Sequence, residues 1–297
     1  MIEAKKTPQL KPRHWAAKLE LDFEARDGKT ALVTNTHYGP LRVQRPFYPE
    51  RPKSPDSPDC CHVYLLHPPG GLVLGDSLEI QLRTSKNARA LITTPSAGKV
   101  YGVESNAEAQ SQTVIINAEP GTCIEWLPQE TIVFDGANVR LTTQLNLSLK
   151  ACAIAWDIVC LGRPASDENF QTGSCHQVLE IFVDGMPRLI ERNFIEGGSK
   201  LQKQAWGLKN CNSFGTLCAT VVLERVDIDK LLEQLQHHAD KSELEQQWGL
   251  TQKGELFIAR YLGNSSRLCR EGFVLIWQSI RPKLNNLQAS IPRIWNT

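Results

Sequence analysis

Val139–Leu149 reads VRLTTQLNLSL. Val139, Leu141, Thr143, Leu145, Leu147 and Leu149 alternate with Arg140, Thr142, Gln144, Asn146 and Ser148. A period of two puts successive side chains on opposite faces of an extended strand, so one face belongs to a core and the other to water. The same period runs through Ala17, Leu19, Leu21 and Phe23, after which Asp27-Gly28 turns the chain toward Thr30, Leu32 and Thr34. Further strands are expected at Leu78–Arg83, Arg89–Thr94, Gln110–Ile116, Thr122–Leu127, Ala151–Cys160, Gln177–Val183, Arg188–Asn193 and Gly215–Leu223. Glu119-Pro120-Gly121, Asp135-Gly136, Asp184-Gly185 and Gly197-Gly198 supply turn chemistry between them. So many short strands predict a mainly β protein: one large body of short antiparallel strands and hairpins.

Helical spacing comes late. Ile228, Leu231, Leu232 and Leu235 recur at i, i+3, i+4 and i+7, with Asp227 placed to cap them. A second helix is expected from Ser265 or Ser266 to Arg281, where Pro282 stops it. About two helices therefore lie in a segment at 227–297, within a single domain spanning 1–297. Residues Phe47–Cys60 hold Pro49, Pro52, Pro55 and Pro58 and read as a loop. No internal repeat is evident.

Thirty-three Lys and Arg against 32 Asp and Glu leave no global field to recruit nucleic acid or an anionic membrane. Lys5, Lys6, Lys11 and Arg13 are followed by alternation instead of an apolar core, which is not the pattern of a signal peptide. No uncharged apolar run approaches the roughly 20 residues that span a bilayer. Nine cysteines without framework spacing read as mostly reduced thiols, which places the chain in the cytoplasm.

Single motifs give little chemistry. HPPGGLVLGD (His67–Asp76) lacks the Lys-Ser or Lys-Thr of a phosphate loop and has no helix behind it. Its glycines, Gly70, Gly71 and Gly75, instead suit positive φ, with Asp76 bonding nearby amides. Cys60-Cys61-His62 with His67 offers metal donors, but neighbouring strand residues point to opposite faces and the paired spacing of zinc sites is absent. Cys175-His176 and His237-His238 have the same defect. Ser96 and Cys160 sit in no recognised nucleophile setting. The chain therefore reads as a non-enzyme, with a β-sandwich hydrolase or small-molecule binder as the alternative.

Several longer blocks occur together. They are GPLRVQRPFYPE (Gly39–Glu50), HPPGGLVLGD, LITTPSAGKVY (Leu91–Tyr101), WLPQETIVFDGA (Trp126–Ala137), WDIVCLGRPA (Trp156–Ala165), ERN (Glu191–Asn193) and PRIWNT (Pro292–Thr297). In this order, over nearly the whole chain, they resemble the urease accessory proteins of the UreD/UreH family. The chain departs from the family's usual pattern at Val100, Tyr101 and Gly102, and at Asp157, where Glu is frequent. The resemblance implies a noncatalytic maturation factor, a β-rich scaffold. It would dock on urease apoprotein with UreF-type and UreG-type partners and help deliver nickel. No cofactor would be tightly bound; nickel(II) would be in transit.

Within those blocks and strands, Asp76, Glu130, Asp135, Asp157 and Glu180 are acids set in or beside apolar runs. Carboxylates in apolar strands are seldom unpaired. They are expected either to find arginines, with Arg140, Arg163, Arg188 and Arg192 available, or to line a hydrated route for nickel. Residues 227–245 hold six acids against two lysines, and from residue 267 five bases face one acid. With Trp248, Trp277 and Trp295, these opposite patches mark the segment from Asp227 onward as the docking region for the helical partner.

Overall fold

The computed structural model describes residues 15–50, 58–73, 75–102, 108–238 and 247–296. The basic N-terminal residues, Pro52 and Pro55, and Asp240, Lys241, Glu243 and Glu245 lie outside them. The first strands are β1 (Ala16–Arg26), β2 (Lys29–Tyr38), β3 (Arg42–Val43), β4 (Cys61–Leu66), β5 (Ser77–Ser85) and β6 (Arg89–Thr93). Next come β7 (Gly98–Val100), β8 (Gln110–Ala118), β9 (Cys123–Leu127), β10 (Thr131–Val133), β11 (Asn138–Leu147) and β12 (Cys152–Leu161). The last are β13 (Ser174–Val183), β14 (Met186–Glu196), β15 (Ser213–Ala219), β16 (Gln247–Lys253) and β17 (Leu256–Gly263). Three α-helices, α1 (Lys200–Lys203), α2 (Arg225–His238) and α3 (Ser266–Asn285), and two short 3-10 turns at Pro164–Ser166 and Arg293–Asn296 complete the described elements. None of them is long and apolar enough to cross a membrane.

The protein is mainly β, with its two longer helices toward the C-terminus, as the sequence predicts. The pairing is mixed, however, and not antiparallel throughout. One sheet runs β14-β13-β11-β8-β5-β1-β2 and the other β16-β17-β15-β12-β9-β6-β4-β3, with β7 and β10 at its side. From β4 to β13 the chain passes back and forth between the sheets. It lays β5, β8, β11 and β13 parallel in one, and β4, β6, β9 and β12 parallel in the other. Parallel neighbours need a long crossover, and here the opposite sheet supplies it where a helix ordinarily would. Hairpins remain at β1–β2, β13–β14 and β16–β17. Asp27-Gly28 and Asp184-Gly185 both have positive φ at the two turn residues, the conformation that matches strand twist.

The two sheets enclose one core. On β11, Val139, Leu141, Thr143, Leu145 and Leu147 are buried, as the alternation predicts. The second sheet is covered on both faces: Ala153, Ala155, Val159 and Leu161 of β12 face the first sheet, while Ile154, Trp156 and Ile158 face the helices. This is why β12 reads as an apolar run broken only by Asp157. On α3, Phe273, Ile276, Trp277 and Ile280 fill the space above it.

Four details depart from the expected elements. α2 starts at Arg225, so Asp227 lies in its first turn and pairs with Lys283 of α3 in place of capping. α3 is capped by Ser265, which accepts from Leu268 N, and runs through Pro282 to Asn285. In that last turn the proline ring sits where few further backbone bonds depend on it. Gly70 and Gly75 have positive φ, but Gly71 does not; a Cβ there would strike the Tyr101 ring. Finally, the tryptophans expected at a docking surface pack against the core, one wholly and two partly buried. Trp277 is fully buried, Trp295 tilts against Trp156 and Trp277, and Trp248 lies on Tyr261 and Phe273. The opposite charges of this region also partly meet each other, through Lys283–Asp227 and His238–Glu271.

Candidate functional site between the two sheets

Asp157 projects from β12 into the space between the sheets, in phase with Ala155 and Val159. Thr143 of β11 donates to its Oδ1 at 3.1 Å and Gln177 of β13 to its Oδ2 at 3.4 Å. Gln177 accepts in turn from Asn193 of β14 at 2.7 Å. Two residues before Asn193, Glu191 accepts from Thr216 at 2.6 Å and is paired with Arg260 at 2.7 Å. Thr216 stands opposite Asp157 in the β12–β15 register. These groups form a polar strip through an otherwise apolar interior, because on each strand they occupy the core-facing phase.

The strip lies between two clefts. At one end Glu191, Asn193, Thr216 and Arg260 line a cleft of about 520 Å³ together with Trp206. At the other end Trp126 and Leu141 line a cleft of about 340 Å³ that also holds His67, Thr94, Ser96 and Thr131. Trp126 is opposite Ala155 in the β9–β12 register, two residues from Asp157 on the same face, and its buried indole N–H faces the Asp157 carboxyl just short of full hydrogen-bond geometry. Asp157 is half-buried on the inner face of β12. Burial pushes its carboxyl up to about 6, and the charge of Glu191 acts the same way, against the hydrogen bonds from Thr143 and Gln177. Near neutral pH the group is largely ionised and still readily protonated.

The other four acids do not converge on Asp157. Asp76 accepts from the backbone N–H groups of Trp15 and Val73 and fastens its loop. Asp135 accepts from the N–H groups of Gln171 and Thr172 and from the Thr172 hydroxyl. Glu130 lies 3.9 Å from Arg270, with one carboxylate oxygen buried and unbonded among the described residues. Glu180 is on the outer face of β13, where Arg192 pairs with it at 2.7 Å. Of the four arginines considered, Arg192 alone takes one of these acids; Arg163 pairs with Glu168. The residues missed from sequence, Glu191 and Asn193, had a readable signal. In MPRLIERNFIE they share phase with the buried Leu189 and Ile195, whereas Glu180 is out of phase with Leu179 and Ile181.

A second polar cluster was also missed. Arg281 of α3 is fully buried and reaches both carboxylate oxygens of Glu125 at 2.9 Å and Glu50 at 2.8 Å. Trp277 donates to Glu125 at 2.6 Å, and His62 bonds Glu50 at 2.6 Å. Glu50, Cys60 and His62 bring three metal-type donors within 4.8 Å of one another. The Arg281 guanidinium already occupies that position, 3.8 Å from Cys60 Sγ, so a divalent ion would have to displace it. Burial also holds the Cys60 thiol well above its usual range. His67 takes no part in this cluster; it lines the smaller cleft, with no hydrogen bond to Ser96 among the described residues.

The family model for UreD urease accessory protein matches residues 16–296. The chain belongs to the UreD family. It is 51% identical over 285 residues to the urease accessory protein UreD of Saccharophagus degradans, covering 96% of this chain and 94% of that one. Similarity to the UreD proteins of Chromohalobacter salexigens, at 40%, and Hahella chejuensis, at 39%, covers 96% of this chain and 90% and 91% of theirs. The family is by name an accessory protein of urease, which supports a role in urease maturation.

Proposed function

We propose that this protein is a noncatalytic, cytoplasmic scaffold that docks on urease apoprotein with UreF-type and UreG-type partners and hands nickel(II) through its interior. The observation that carries the reading is the polar strip from Glu191 to Asp157, open to a cleft at its Glu191 end and separated from a second cleft by Trp126 and Leu141 at its Asp157 end. Oxygen donors spaced along a path hold a cation weakly enough to let it leave, unlike a closed thiolate cage. Among the five acids singled out from sequence, Asp157 is the one we retain on the route; Asp76, Asp135 and Glu180 are engaged by backbone amides or arginine, and Glu130 stands to one side. The likeness in name to urease accessory proteins supports the partners.

The test is urease activation in cells or with purified accessory proteins, comparing D157N and E191Q with the native chain. Both substitutions preserve shape and remove charge, and should lower nickel content and activity of urease while the complex still copurifies. Full activation by both variants would refute the route.

A further inference from the structure

Cys123 opens β9 and Cys152 opens β12, and the parallel register sets them directly opposite each other. Both point to the helical side of the second sheet, Cys123 in phase with Glu125 and Cys152 in phase with Ile154. Adjacent strands lie about 4.8 Å apart, inside the Cα separation that a disulfide spans, so neither strand need move for the two sulfurs to join. Each thiol is the largest influence on the acidity of the other. The end of α3 closes over them, with Asn285 Nδ2 3.6 Å from Cys123 Sγ and Leu284 O 3.7 Å from Cys152 Sγ. Arg89 donates to Asn285 O at 3.0 Å, which fixes its guanidinium beside the pair.

Cys152 differs from the other cysteines in two respects. It is the one that keeps exposed surface, the other eight being buried. Its thiol is also drawn down to about 7, chiefly by the hydrogen bond from Cys123 and further by the charge of Arg89, against the effect of burial. Burial raises the thiols of Cys60, Cys61, Cys160, Cys175, Cys218 and Cys269; that of Cys123 is raised by its bond to Cys152 and by burial. An accessible thiolate beside a cation, with a second thiol in contact, is the arrangement that reacts with peroxides and resolves the product.

We propose that Cys152 and Cys123 are a site of reversible oxidation by hydroperoxides. The Cys152 thiolate attacks the peroxide, breaking the O–O bond to give a sulfenic acid and an alkoxide or hydroxide, which takes a proton from water. Cys123 sulfur then displaces hydroxide from the sulfenic acid, its own proton leaving with that hydroxide as water. Two thiols are oxidised to one disulfide and one peroxide is reduced; an external thiol reverses the change by exchange. The disulfide removes the hydrogen that the Cys152 thiol gives to Leu284 O and, in the thiolate form, the anion facing Arg89, and so loosens the end of α3.

The full chain treated with hydrogen peroxide near pH 7.5 should lose two hydrogens, and peptide mapping should join Cys123 to Cys152. Limiting iodoacetamide should label Cys152 first, with a half-maximal rate near pH 7 that moves upward in R89Q. In C123S the peroxide product should be a Cys152 sulfenic acid trapped by dimedone, and in C152S Cys123 should stay reduced. The native-chain map needs no variant to fold. A map with Cys123 and Cys152 both free after peroxide, or labelling of Cys152 no faster than that of the buried cysteines, would overturn the proposal.

Discussion

Asp157 carries its charge between two sheets without an arginine against it, and this sets the sign of its effect on stability. Its folded pKa of about 6 lies above the roughly 3.9 of an unfolded aspartate, so the native state binds the extra proton. Stability on this account falls as pH rises from about 4 to about 6 and stays lower above that. D157N removes the penalty while keeping the acceptor for Thr143, so near pH 7 it should unfold at a higher temperature, by up to about 2–3 kcal/mol, with a flatter pH profile across that window. An unchanged melting temperature and profile would mean that internal water already solvates the carboxylate. Arg281 behaves oppositely. R281M leaves Glu125 and Glu50 buried without their counter-charge and should cost about 3–5 kcal/mol in urea unfolding. At this scale the chain was half legible. The phase of Asp157, Glu191 and Asn193 is written in the alternation of their strands. The partner of Glu125 is not, because it stands 156 residues away and only the tertiary fold brings it near.

Among the elements, strands were readable and their partners were not. Period two is the same for a strand whose neighbour runs parallel or antiparallel; the difference lies in the connection. Here the crossovers pass through strands of the opposite sheet, so they looked like successive members of a meander. Turn residues were clearer: both Asp-Gly turns that close hairpins have the positive φ they advertise. α3 shows how a stop signal is overridden, since Pro282 sits late enough that packing carries the helix to Asn286, a left-handed cap. The start of that helix is more conventional. S265A deletes the acceptor for Leu268 N and should destabilise the protein by about 1 kcal/mol, visible as a lower denaturation midpoint at unchanged slope. A larger loss would mean that the serine also positions the neighbouring Asn264 turn.

Taken as a whole, the molecule is three layers: an outer sheet, a central sheet covered on both faces, and helices. The helical layer is structural before it is anything else, because Trp156, Phe257, Tyr261 and Ala259 depend on it for cover. A chain ending after Gly263 should therefore associate into large species on size exclusion and bind a hydrophobic dye strongly. A monodisperse, cooperatively unfolding product would show that the two sheets stand alone. The apolar surface left exposed lies elsewhere, at Trp206 and along the Met186, Ile190 and Phe194 stripe of β14. The ion pair between Glu125 and Arg281 adds a constraint in time. At 5–20 residues per second the ribosome adds Arg281 roughly 8–30 s after Glu125, the two being 156 positions apart. Throughout that interval the nascent strand carries a carboxylate destined for the interior with no guanidinium yet made to meet it. The central sheet cannot close dry around that acid until then, and its completion waits on a helix synthesised well after it.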